Sequence, residues 1–167
     1  MNRKVLAAIV ILVIIVVAVV AYFMINWTIA SAAVNVEPGN IQKPIGQDFV
    51  VNISVSNVKD LFGWELKLEW NPSILDFVNA TEGSFLKSTG PTFFSPQYNA
   101  TTSSVLVDCT LTGERAGVNG NGVLASIQLH VRGQGSCDLV LEDVKLVNSA
   151  VQSINGAVNS GHFSTSS

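Results

Sequence analysis

The sequence predicts an all-β domain, two packed sheets around one core, preceded by a single apolar helix. Three observations carry this. Residues Val5 to Ile25 form an unbroken run of 21 residues without a charge. Beyond it, short segments alternate strictly between apolar and polar residues. Gly, Pro, Asn and Ser then recur every ~8–12 residues, the spacing of strand-to-strand turns.

The apolar run comes first in the chain. At ~1.5 Å per residue a helix of this length covers the ~30 Å hydrocarbon core of a bilayer. Lipid offers the backbone no other hydrogen-bond partners, so Val and Ile are forced into helix there. Arg3 and Lys4 precede the run and no basic residue follows until Lys43. This asymmetry places residues 1–4 in the cytoplasm, a membrane span at 5–25, and everything after it outside the cell. Ala30-Ser31-Ala32 also fits a signal-peptidase site, and cleavage there would release a secreted domain. Both readings export the domain.

Residues 26–36 read as a spacer and 37–163 as the domain, with 164–167 a frayed tail. In Phe49 to Val55 the residues Phe49, Val51, Ile53 and Val55 share a face. In Trp64 to Trp70, Trp64, Leu66, Leu68 and Trp70 oppose Glu65, Lys67 and Glu69. In Val123 to Val131, the odd-numbered residues face in and Ser126, Gln128 and His130 face out. A period of two marks half-buried strands. Further strands are expected at Leu75–Val78, Thr92–Tyr98, Ser104–Thr112, Cys137–Val147 and Val151–Phe163. The fourth of these changes phase between Leu141 and Val144, the mark of a bulge. Asn57–Gly63 and Val118–Gly122 read as turns. Eight or nine strands in this length close as a sandwich.

Composition narrows the function. Two of the nine basic residues precede the apolar run, whereas all twelve acids follow it. The domain is therefore acidic, which argues against nucleic acid. No cofactor motif is present, and no catalytic set: His130 and His162 stand apart from any serine or acid motif. Glu65 and Glu69 lie ~13 Å apart along a strand, too far for a glycosidase pair. Asp138, Glu142, Asp143, Asp48 and Asp60 lack any calcium-loop spacing and read as solvated acids, so no metal is expected.

Asn52-Ile-Ser54, Asn79-Ala-Thr81 and Asn99-Ala-Thr101 are glycosylation sequons. Parity turns Asn52 to solvent, and Asn79 and Asn99 fall between strands. Trp64 and Trp70 belong to the core by parity rather than to a sugar platform. Phe93 and Phe94 are adjacent, so one of them faces out. Cys109 and Cys137 are both in phase with core residues, the pattern of buried thiols.

The stretch Val55-Ser-Asn-Val-Lys-Asp-Leu-Phe-Gly-Trp-Glu-Leu-Lys-Leu-Glu-Trp-Asn-Pro-Ser-Ile-Leu resembles the opening of a cohesin domain. So does Gly46-Gln-Asp-Phe-Val-Val-Asn-Ile-Ser-Val before it. Gly122-Val-Leu-Ala-Ser-Ile-Gln-Leu is similar to a later cohesin strand, with Leu129 where an aromatic is usual. The order of these elements agrees over residues 34–163, most closely with cohesin-like domains of archaeal surface proteins. The resemblance implies a nine-stranded jelly roll, akin to some carbohydrate-binding modules, that binds dockerin domains through a sheet face. It puts Glu65, Lys67, Glu69, Asp108 and Thr110 on that face. It also sets Cys109 and Cys137 at opposite ends of one sheet on strands that are not neighbours, which implies two free thiols rather than a disulfide. The expected function is a membrane-anchored extracellular binding or adhesion module, not an enzyme, whose partner is a protein or a glycan. The competing expectation is a structural subunit of a pilus-like filament or surface layer.

Overall fold

The computed structural model describes residues 12–19 and 31–166. Residues 12–19 are helical (α1), with exposed apolar side chains. Among the described residues no helix is long and apolar enough to cross a membrane. The expected span, 5–25, lies largely outside the described residues.

The chain from Ser31 onward forms a separate compact unit. Its strands are β1 (Ala32–Glu37), β2 (Asn40–Lys43), β3 (Asp48–Glu69), β4 (Leu75–Glu82), β5 (Thr92–Asn99), β6 (Ser104–Leu111), β7 (Val118–Val131), β8 (Ser136–Asn148), β9 (Gly156–Asn159) and β10 (Gly161–Thr165). One helical turn, α2 (Ser84–Lys87), buries Phe85 and Leu86 between β4 and β5.

β3 belongs to two layers. Its first half pairs antiparallel with β1 and β7, and its second half with β6 and β8. The first layer therefore runs β9-β1-β3-β7-β4, and the second β2-β10-β8-β3-β6-β5. The inward residues merge into one core: Phe49, Val51 and Ile53 from one half of β3, Leu66 and Leu68 from the other, with Ile127, Leu129, Val105, Val107 and Leu139. Phe49 stacks on Phe163 of β10 with ring centroids 5.1 Å apart, closing one layer on the other. Trp64 and Trp70 are buried, as parity requires. The Trp70 indole N–H donates to the Leu75 carbonyl at 3.0 Å.

Asn57–Gly63, expected as a turn, is instead the crossover within a continuous β3. Asn57 and Asp60 adopt φ of 53° and 56°. Asn and Asp tolerate this left-handed region better than other side chains. The N–H groups freed by the twist are caught by the opposing strand: Asn57 N donates to Asn121 Oδ1 at 2.6 Å and Asp60 N to Asn119 Oδ1 at 2.8 Å. Those acceptors explain why Val118–Gly122, also expected as a turn, opens β7.

Four other boundaries differ from expectation. β1 occupies residues read as spacer, with Ala32, Val34 and Val36 buried against β3. The expected strand at Val151–Phe163 divides into a turn, β9 and β10. Residues 164–166, read as part of the tail, are hydrogen-bonded to the domain: Thr165 N donates to Gly135 O at 2.9 Å and Ser166 N to Lys43 O at 3.1 Å. In β7 the inward phase slips by one residue, so Leu124 is buried and Val123 only partly so, at a register shift opposite Ile53 and Ser54. The bulge read in β8 is present, with Asp143 at φ 51° and a register shift opposite Glu65 and Lys67.

Candidate functional site

The second layer turns an open face outward, and its register can be read residue by residue. On β3 the outward residues are Gly63, Glu65, Lys67 and Glu69. On β6 they are opposed by Thr110, Asp108, Leu106 and Ser104 respectively. On β8, Val147 lies beside Gly63, Lys145 beside Glu65 and Glu142 beside Lys67. On β5, Phe93 pairs with Thr110, Gln97 with Leu106 and Asn99 with Ser104. Glu65, Lys67, Glu69, Asp108 and Thr110 are thus brought together, and a shallow trough of ≈ 580 Å³ runs over the acidic end of this face.

The charges are linked rather than independent. Lys145 Nζ donates to Glu65 Oε1 at 2.6 Å. Lys67 Nζ lies 2.8 Å from Glu69 and 2.9 Å from Glu142, with Asp143 at 3.7 Å. Those carboxylates hold the Lys67 ammonium well above its ordinary pKa, and Glu65 does the same for Lys145. Asp108 has no ion pair among the described residues. Burial first, and the neighbouring Glu65 charge second, raise its carboxyl above the usual range. Thr110 donates to the Leu111 carbonyl at 3.1 Å.

Sequence parity found the β3 and β6 members of this face. It did not bring Glu142, Asp143 and Lys145 to this face, because parity along one strand does not show that β8 pairs with β3. Phe93 was legible only as one of an adjacent pair. It is the outward one, 61% exposed, while Phe94 packs on Trp64 with centroids 6.4 Å apart.

The other singled-out residues lie elsewhere. Asn52 is half-buried in the first layer, where its Oδ1 accepts from Ser126 Oγ at 2.7 Å, so it does not project freely into solvent. Asn79 and Asn99 are exposed, but within β4 and at the end of β5 rather than in loops. Asn99 Oδ1 accepts from Thr101 N at 2.9 Å, an Asx turn into the β5–β6 hairpin. The histidines do have acid neighbours: His130 Nδ1 is 2.6 Å from Asp48 and His162 Nδ1 2.7 Å from Asp138. Each acid arrives from another strand, which no local motif reveals. Asp60 accepts from Ser149 Oγ and Gly117 N, both at 2.7 Å, and these bonds lower its pKa. Among the described residues no group of three or more His, Cys, Asp and Glu is placed to hold a metal ion.

Cys109 and Cys137 are free thiols on β6 and β8, with β3 between their strands. Cys109 pairs across to Trp64, whereas Cys137 lies beyond the end of β3, opposite Phe163 of β10. Burial pushes the Cys109 thiol up to about 12, with the Glu82 carboxylate adding to it.

Comparison with known proteins decides the family: the cohesin domain model matches residues 34–164. The chain belongs to the cohesin domain family. No curated protein matches this cohesin. Among solved structures it is similar to a non-cellulosomal cohesin from the hyperthermophilic archaeon Archaeoglobus fulgidus, at 21% identity and TM-score 0.71, covering 83% of this chain and 93% of that one. It is similar to the third cohesin ScaC of Acetivibrio cellulolyticus, described in complex with the ScaB dockerin, at 17% identity and TM-score 0.71, covering 81% and 99%. A third, the Coh-OlpC–Doc435 cohesin–dockerin complex of Clostridium thermocellum, gives 11% identity and TM-score 0.69, covering 82% and 96%. At such identities the likeness is one of fold, the cohesin jelly roll.

Proposed function

We propose that this cohesin is a binding module held at the outer cell surface by its apolar segment at 5–25, and that it engages a protein of the dockerin kind. It acts by binding rather than by catalysis. The observation that carries the reading is the outward face of β5, β6, β3 and β8, where Glu65, Lys67, Glu69, Asp108 and Thr110 lie on adjacent strands of a family whose solved members include dockerin complexes. A sheet face without deep concavity suits a macromolecule better than a small molecule. Protein is favoured over glycan because solved members of the family include dockerin complexes, whereas Trp64 and Trp70 are buried and offer a sugar no platform.

Export rests on Arg3 and Lys4 preceding the apolar run. With export, Asn79 and Asn99 are the exposed sequons and Asn52 is the half-buried one.

The test uses the full-length chain in detergent micelles against a panel of dockerin domains and a glycan array. Saturable binding to a dockerin, weakened by Glu65→Lys, is the expected result. Binding to sugars alone would replace the protein partner with a glycan, and no binding to either would sink the proposal. Protease added to intact cells should digest the β-domain. A domain protected until lysis would contradict the outside location.

A further inference from the structure

Each layer of the β-unit ends in a long strand that is paired on one side only, and these two strands lie together. β4 pairs with β7 alone and β5 with β6 alone. Both run for eight residues, against four for the outer strands β2 and β9. Side chains tie β4 to β5 at both ends, without a backbone ladder between them. Thr92 Oγ1 donates to Glu82 Oε1 at one end. At the other, the Tyr98 ring stacks on Phe77 with centroids 4.7 Å apart, and 44% of Tyr98 stays exposed. The result is a seam flanked by two rows of backbone N–H and C=O groups.

Such rows are templates for strands of other chains, and proteins blunt or cover them. Pro96 removes one N–H from β5, and a register shift between Phe77 and Asn79 interrupts β4. Each edge also carries a sequon. Asn79 lies in β4 and Asn99 ends β5; both are exposed, as are Thr81 and Thr101, which complete the sequons. In each asparagine the oxygen is the atom the domain uses. Asn79 Oδ1 accepts from Ala80 N and Asn99 Oδ1 from Thr101 N, both at 2.9 Å. The amide nitrogens, which would carry the sugar, have no hydrogen-bond partner among the described residues. The third sequon is placed differently: Asn52 is half-buried on β3, between β1 and β7.

We infer that N-linked glycans on Asn79 and Asn99 cover this seam and keep the two strand edges and the Tyr98 ring from pairing with other chains. The inference rests on the export reading above and gives the exposed sequons a task. The transfer joins each amide nitrogen to the anomeric carbon of an oligosaccharide carried on a polyprenyl phosphate. The bond from that carbon to the phosphate oxygen breaks, the polyprenyl phosphate leaves, and one amide proton passes to solvent. A glycan suits the site because it is bulky and hydrated, and because the C–H face of a sugar ring stacks on an aromatic such as Tyr98.

The test uses the full-length chain, made in its own cells and extracted in detergent micelles. Peptide mass spectrometry should find sugar on Asn79 and Asn99. Thr81→Ala with Thr101→Ala removes both sequons and leaves the asparagine hydrogen bonds in place. This double variant should self-associate about tenfold more tightly in sedimentation, as a few new cross-strand pairs would produce. Tetranitromethane should nitrate its Tyr98 several-fold faster than in the parent. Trimming the sugars from the folded parent with a glycosidase should do the same without a substitution. Thr81→Ser with Thr101→Ser keeps both sequons and should match the parent. Bare asparagines on a chain whose β-domain is digested by external protease would overturn the inference and leave export standing. A domain protected until lysis would overturn both. Sugars whose loss changes neither association nor Tyr98 nitration would overturn the shielding role, and so would a Ser variant that associates despite its glycans.

Discussion

Two aspartates on this domain are tuned in opposite directions. Asp60 gains hydrogen bonds on folding, so its carboxyl titrates below its ordinary value. A depressed carboxyl stabilises the fold above the unfolded-state pKa, and that contribution is lost as pH falls through the folded value. Asp60→Asn keeps an acceptor but not the charge. Its melting temperature should fall below that of the parent chain at neutral pH, and the gap should narrow in acid. Asp108 has the reverse sign. Burial and Glu65 raise its carboxyl, so ionised Asp108 opposes folding at neutral pH and the penalty vanishes as pH drops through the raised value. Asp108→Asn should raise the melting temperature at neutral pH and leave it unchanged in acid. A lower melting temperature at neutral pH would contradict the assignment. A residue that costs stability while lying half-buried on a candidate binding face is where a functional constraint is expected. Cys109 belongs to this scale too. With its thiol raised to about 12 it stays protonated and unreactive at neutral pH. Maleimide labelling of the folded chain should be slow at this position and become rapid on unfolding, and reductant should not shift the melting temperature.

At the scale of elements the crossover of β3 is the feature most exposed to test. One strand serves two layers because two left-handed residues, Asn57 and Asp60, turn it, and because Asn121 and Asn119 satisfy the N–H groups that the turn releases. Removing either acceptor leaves a donor to water, so Asn119→Ala and Asn121→Ala should each cost about 1 kcal/mol in denaturant unfolding. Gly117 packs tighter still. A Cβ there would meet the Asp60 carbonyl oxygen at 2.3 Å, so Gly117→Ala must move backbone. It should cost about 1–3 kcal/mol. A neutral Gly117→Ala would mean that the β6–β7 connection does not hold the crossover as described. Strand identity was legible wherever alternation was clean, as in Trp64–Trp70, and was lost where it was not. β1 was hidden inside an apparent spacer because Ala-Ala-Val-Asn-Val-Glu is short and begins close to the apolar run. The turn signals at Asn57–Gly63 and Val118–Gly122 were genuine signals of left-handed or polar backbone. Their partners were each other, across some 60 residues of chain, so each became strand.

The whole β-unit is held by the joining of its layers. Phe163, fully buried on the last strand, stacks on Phe49, and Leu66 and Leu129 are without solvent contact. Phe163→Ala should cost about 3–5 kcal/mol and Leu129→Ala about 2–5 kcal/mol, read from chemical unfolding at constant slope. The face that the family reading selects was partly legible at this scale. Parity alone set Glu65, Lys67 and Glu69 on one side of β3. Which strands flank them is a matter of pairing, and pairing joins residues as far apart as Glu65 and Lys145.

By itself the sequence determined what depends on near neighbours along the chain: the apolar run, the period of two, the β8 bulge, the burial of Trp64 and Trp70, and the order of motifs that marks a cohesin. Tertiary structure decided the rest. It made β3 one strand shared by two layers, gave Asp48 to His130, left Asp108 unpaired beside lysines already engaged, and set Gly63 between Thr110 of β6 and Val147 of β8. The physical reason is common to all of these. Local pattern fixes which face of a strand is apolar, whereas electrostatic partners and surface shape depend on which strands lie side by side, and that is settled only when the two layers close on a single core.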